Sequence, residues 1–205
     1  MKVTGSSLAL IALSLAATVA SAATIDMDNP HRALGREGDV RVDAQLARDT
    51  VVPGTPVAIT YQVHNLSAVP VAIADRATDA SYDDDSRTII VGIGSEVPPD
   101  GNMPRMTVIA PGEKRVFTTA VTPALRAVAM RATMAIVPRF VQMKVAILRD
   151  VAPYQDLIAR DSRQRLSDGL FDQWFESNDT IFLNAIPVRY EPPPVSEIER
   201  RHGSR

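Results

Sequence analysis

The chain has no cysteine, three histidines and a single tryptophan in 205 residues, and neither charge is in marked excess. Each shortage removes a class of function. Without thiols there is no cysteine nucleophile, no Cys/His metal site and no disulfide, so burial alone must hold the folded state. A hydrophobic content of 45% makes that feasible, and the length suits one domain with a sizeable core. A formal net charge of −2 argues against nucleic acid and against an anionic membrane surface as partners. No serine nucleophile elbow, helical histidine pair or phosphate-cradling glycine loop is present. "GIGSE" (Gly92 to Glu96) has two glycines but no third and leads into no helical pattern, so it reads as a strand ending in a turn. His31 lies near one terminus and His202 near the other, which leaves His64 to carry any catalytic triad alone. The chain is therefore expected to be non-enzymatic and to need no cofactor.

What is present begins at the first residues. Met1 and Lys2 precede an apolar run from Leu8 to Val19 and then "ASAA" at Ala20 to Ala23. An apolar segment ending in small residues at positions −3 and −1 suits a signal peptidase, so residues 1–22 are expected to be a cleaved signal peptide. The expected cut follows Ala22, with Ala23 the next choice. The run is too short for a membrane span, lacks a basic stop-transfer flank, and has no cysteine nearby for lipidation. The expected product is periplasmic or secreted, carries no membrane anchor, and is one charge more negative through loss of Lys2.

Residues 23–38 hold Pro30, Gly35 and Gly38 with no sustained period and are expected to form a flexible arm. A strand-like domain follows over residues 39–191. "VRVDAQL" leads through the turn "VVPGTP" to "VAITYQVHNL", where Val57, Ile59, Tyr61 and Val63 alternate with Ala58, Thr60, Gln62 and His64. A turn over Asn65 to Val69 and the return "PVAIAD" read as a hairpin with that strand. "RTIIVGIG", "RMTVIA", "KRVFTTAV", "FVQMKVAILRD" and "TIFLNAIPVRY" continue the rhythm, the last with Pro187 marking an edge or a break. Residues 124–136 are Ala- and Met-rich and fit helix or strand equally. Between the last two strands, residues 153–178 change period: Leu166, Leu170, Phe171, Trp174 and Phe175 form a helical stripe that Ser162 or Ser167 could cap. Gly169 makes two short helices as plausible as one. Residues 192–205, Pro-rich and then charged, are expected to be a disordered tail.

Two stretches together carry a family resemblance. Gly54, Val57, Ile59, Tyr61, Val63, Asn65, Ser67, Pro70 and Val71 match a strand pair, and Ile109 with Pro111 to Glu113 matches a turn. Both resemble the exported bacterial immunoglobulin-like domains of the CARDB-like and BsuPI-like proteinase-inhibitor type, over about residues 40–121. The resemblance implies a mainly β, immunoglobulin-like antiparallel β-sandwich, here with a short helical insertion before the last strand. The expected function is to engage another envelope or extracellular protein through loops or a sheet edge, and the alternative is an exported proteinase inhibitor. A small metal carrier or hydrolase is the least favoured reading.

Several features compete as sites. The acidic run "DRATDASYDDDSR" offers Asp79, Asp83 and Asp85 as calcium candidates, but it lacks the spacing and glycine of an EF-hand loop and reads first as a solvated loop. Met103 with Met106, and Met130 with Met134, are soft-metal pairs with no adjacent histidine, so core filling is preferred. Asn65-Leu66-Ser67 fits a glycosylation sequon, which the bacterial character of the leader sets aside. "GSEVPPDGNMPR" is the candidate inhibitory loop. Phe171, Trp174 and Phe175 are the candidate partner platform, because aromatics dominate binding hot spots. Against that, a short helix with an apolar stripe needs packing to persist, which favours a helix docked on the sandwich.

Overall fold

Alternating apolar residues across residues 40–65 build the first sheet. The computed structural model describes residues 24–76, 78–125, 137–160 and 164–192. In chain order its strands begin with β1 (Arg32–Glu37), β2 (Val40–Leu46), the two-residue β3 (Thr50–Val51) and β4 (Val57–Asn65). Then come β5 (Val71–Ile73), β6 (Thr78–Asp83), β7 (Thr88–Ile93), β8 (Thr107–Ile109), β9 (Lys114–Val121) and β10 (Phe140–Leu148). Two helices follow, α1 (Gln155–Ala159) and α2 (Asp168–Ser177), before β11 (Asn178–Phe182), β12 (Ile186–Pro187) and β13 (Arg189–Tyr190). The protein is a mainly β sandwich with its helices placed before the last strands, as the sequence predicts.

One sheet has the order β1-β2-β4-β9 and is antiparallel throughout. The larger sheet runs β6-β7-β10-β5-β8, with β11 and β12 on the free side of β10. Val42, Ile59, Tyr61 and Val63 from the first sheet meet Ile73, Ile89, Val91, Val141, Met143, Val145 and Ile147 from the second in one buried core. Tyr61 stacks on Phe117 with ring centroids 5.0 Å apart. The sandwich is not wholly antiparallel. β7 and β10 run parallel, with β9 of the other sheet lying between them in the chain, and β13 lies parallel to β3.

The pair read as a hairpin is instead a crossing between sheets. β4 ends in the first sheet and β5 belongs to the second, and "PGE" likewise carries the chain from β8 in the second sheet to β9 in the first. Asn65 ties both crossings together. Its side-chain amide donates to the carbonyls of Val69 (2.8 Å) and Ile109 (3.0 Å), and its oxygen accepts from the Ser67 amide and hydroxyl. The backbone N–H of Asn65 donates to Glu113, and the Gly112 N–H donates to the carbonyl of Asn65. Gly112, at φ +73°, adopts the left-handed turn this return requires. The two stretches that carry the family resemblance therefore meet at one buried asparagine.

Three further expectations change. Residues 32–37 of the supposed arm are strand β1, with Ala33 and Gly35 as the buried positions. A Cβ at Gly35 would lie 2.7 Å from the Phe182 carbonyl, so the strand reaches the 181–183 segment only because that side chain is missing. The acidic run is only in part a loop: Thr78–Asp83 pairs with β7 as an edge strand, and Asp84 and Asp85 lie in the turn that follows. The last predicted strand is three pieces, with β12 holding Pro187 after a break at residues 183–185. The leader at residues 1–22, the ambiguous stretch at 126–136 and the tail from 193 lie outside the described residues. No helix among those described is long and apolar enough to cross a membrane.

Candidate binding face

The outward face of the larger sheet divides into two halves. At one end the usual strand alternation fails: Val71, Ala72 and Ile73 are all buried, and so are Val145 to Leu148. Those uninterrupted apolar runs are covered on both sides, by the sandwich core on one and by the helical segment on the other. Ala72, Leu148, Met103, Val151, Tyr154, Leu166 and Trp174 form this second core. Trp174 is 0% exposed, and its ring meets Tyr154 edge-on at 5.6 Å. The Tyr154 hydroxyl donates to the Leu170 carbonyl at 2.8 Å. Burial, reinforced by the Asp150 carboxylate, pushes that hydroxyl up to about 12 from its ordinary 10.0. Ser167 caps α2 by accepting from the Leu170 N–H.

Of the candidate aromatic platform, Trp174 is therefore withdrawn into the core. Phe171 is half-buried and Phe175 is 48% exposed, the two rings meeting edge-on at 5.1 Å. Trp174 also fixes a loop: its indole N–H donates to the Glu96 carbonyl at 3.2 Å, and the Asn178 amide donates to the Ser95 carbonyl at 2.8 Å. The Met103 N–H donates to Gln164, and the Leu166 N–H to Gly101. The candidate inhibitory loop is thus stapled to the helical segment along its length, with Val97 presented 53% exposed. Met103 and Met106 pack into the second core and Met143 into the first, as core filling requires.

Among the described residues, no helix covers the other half of the face. Registers across the sheet align it in rungs, whose members share one face. One rung runs Asp83, Thr88, Phe140, Pro187; the next Ser81, Ile90, Gln142; the third Asp79, Gly92, Lys144, Phe182. Phe182 is 62% exposed and Phe140 37% exposed, with Ile90 half-buried between the charged rungs. Sequence reasoning missed these two because each aromatic belongs to a separate strand, and only the register places them on one face, two rungs apart.

Beside the third rung lies a cleft of about 420 Å³, lined by Asp79, Gly92, Gly94, Glu96, Val97 and Lys144 among others. The Lys144 ammonium pairs with Glu96 Oε1 at 2.9 Å, and the Thr180 hydroxyl donates to the same oxygen at 3.1 Å. The three calcium candidates do not converge. Asp79 and Asp83 sit at opposite ends of β6, and Asp83 instead accepts from the Ser86 hydroxyl (2.6 Å) and the Asp85 N–H (3.1 Å). Those bonds, Ser86 first, hold its carboxyl below the usual range. Among the described residues no group of three or more His, Asp or Glu side chains is placed to hold a metal. His64 lies on the outer face of β4, where burial and then the Lys114 and Arg41 charges lower its pKa. Asn65 of the sequon is fully buried.

No known protein-family model matches the chain, and no curated protein matches it in sequence.

Proposed function

We propose that this protein is an exported, non-enzymatic binding module of the cell envelope, periplasmic or secreted, and that the bare half of the larger sheet receives another envelope or extracellular protein. The observation that carries the reading is the pair Phe140 and Phe182, held open to solvent on rigid paired strands beside charged rungs. Exposed aromatics set among polar and charged residues, here on either side of Ile90, are the composition of a protein-binding patch. The leader pattern supports export, and the shortage of catalytic and metal-ligating residue types supports a binding role over an enzymatic one. A photo-crosslinking residue at position 182 tests it. Position 182 should trap a discrete exported protein, whereas exposed Leu66, on the turn between the sheets, should not. Phe140→Asp should abolish the adduct, and equal trapping from both positions would refute the reading.

A proteinase inhibitor is the second reading, favoured by the stapled loop that presents Val97 next to Pro98 and Pro99. Dose-dependent loss of activity across a panel of serine and cysteine proteinases, relieved by Val97→Gly, would establish it in place of the first.

A further inference from the structure

We propose that the cleft beside Phe182 is a receptor for an arginine side chain of the partner protein; this rests on the binding reading above and assigns its chemistry. The floor of the cleft is the third rung, where Gly92 stands between Asp79 and Lys144. A Cβ at position 92 would lie 2.0 Å from Asp79 Oδ1 and 3.4 Å from Lys144 Cε. The missing side chain thus opens a trough into which the Asp79 carboxylate folds, flat against the strand. The second glycine of the floor, Gly94, has φ +91°, and a Cβ there would meet the Ala146 carbonyl at 2.6 Å. At Gly94 the obstacle is backbone and the φ is positive, so that end of the floor is built into the sheet, whereas at Gly92 a Cβ would displace the Asp79 carboxylate that lies there.

Charge then selects the guest. Lys144 is matched by Glu96, whose Oε1 also takes the Thr180 hydroxyl. The exposed Asp79 carboxylate makes no hydrogen bond or ion pair with another side chain among the described residues. The lining therefore holds two carboxylates against one ammonium, and the unmatched charge is the one facing the glycine trough. A guanidinium carries planar paired donors that fit both oxygens of a carboxylate, and its alkyl stem suits a glycine-floored channel. Nearby loop carbonyls at Ser95, Glu96 and Val97 already accept from Asn178, Trp174 and Ser95, which leaves Asp79 as the anchoring acceptor. Phe182, at the far end of the same rung, supplies the apolar neighbour that a partner backbone would cover.

Blocked arginine (acetyl-argininamide) is the probe, titrated into the full-length exported protein while the backbone amide signals of Gly92, Gly94 and Ser95 are followed. Saturable shifts are expected at these positions, and none from blocked norleucine. Asp79→Asn should weaken binding at least about tenfold, the loss expected when a charge-assisted pair loses its anion. Asp85→Asn, the same charge change on the turn away from the trough, should leave it unchanged. Lys144→Met should tighten it by freeing Glu96. Absence of saturation, equal response to norleucine, or an unaltered dissociation constant in Asp79→Asn overturns the inference. If it fails while the crosslink from position 182 persists, the binding face stands with a different guest. Loss of both results removes the face as well.

Discussion

The two halves of one sheet face are built from the same strands yet have opposite surfaces. Along β10, outward positions change from Phe140, Gln142 and Lys144 at one end to Ala146 and Leu148 at the other, exposed or half-buried giving way to buried. The helical segment accounts for the difference. It covers the end where Ala72 and Leu148 offer small or aliphatic contacts, and Trp174 is the wedge that holds it there. The lesson is that an aromatic's role is set by what opposes it. Trp174, in the richest aromatic stripe of the sequence, is structural, while Phe182, alone in its strand, faces solvent.

The largest expected effect lies in the covered half. Trp174→Ala should cost about 3–5 kcal/mol in denaturant unfolding, as a fully buried large aromatic is lost and Glu96 loses its indole donor. The intact protein's tryptophan fluorescence should be blue-shifted and resist acrylamide. A near-neutral substitution would mean the helical segment is not docked. Tyr154→Phe should cost less, about 1 kcal/mol at neutral pH, because it removes one hydrogen bond and keeps the ring. It also has a pH signature. The folded hydroxyl titrates near 12 and the unfolded one near 10.0, so its stabilisation is complete below pH 10 and is lost as pH climbs toward 12. Tyr154→Phe should flatten that alkaline decline, leaving the part due to Tyr61, whose pKa burial also raises. An unchanged pH profile would place Tyr154 in water. The smallest effect belongs to the bare half: Phe182→Ser should leave stability within about 0.5 kcal/mol, as expected of an exposed position away from the core. A large loss there would show that this half is not bare, and the contrast would collapse.

Much of the architecture was legible in the sequence because period-two alternation is a local signal. It placed β4, β7 and β10 and the correct buried faces of Val63 and Met143. Pairing is not local. Nothing in "NLSAVP" says that the chain changes sheets there, because the evidence is the Asn65 amide reaching Ile109, forty-four positions along the chain. β1 was missed because its inward residues are Ala33 and Gly35, too small to register as a hydrophobic pattern. The acidic edge strand was missed for the converse reason: Asp79 and Asp83 look like loop residues, yet an edge strand with charge on it is protected from pairing with other chains. The site was the least legible part, since its rung draws single residues from β6, β7, β10 and β11.

The parallel pairing of β7 with β10 also bears on the speed of assembly. β7 is complete by Ile93, but its neighbour begins at Phe140, after the chain has laid down β8 and β9 on opposite sides of the sandwich. No local closure can join them, and long-range joining of this kind is the slow class of folding event. A chain emerging from its N-terminus would carry an unfinished edge at β7 until the last third arrived. The cleft floor, which needs Gly92 and Lys144 side by side, cannot exist before that joining.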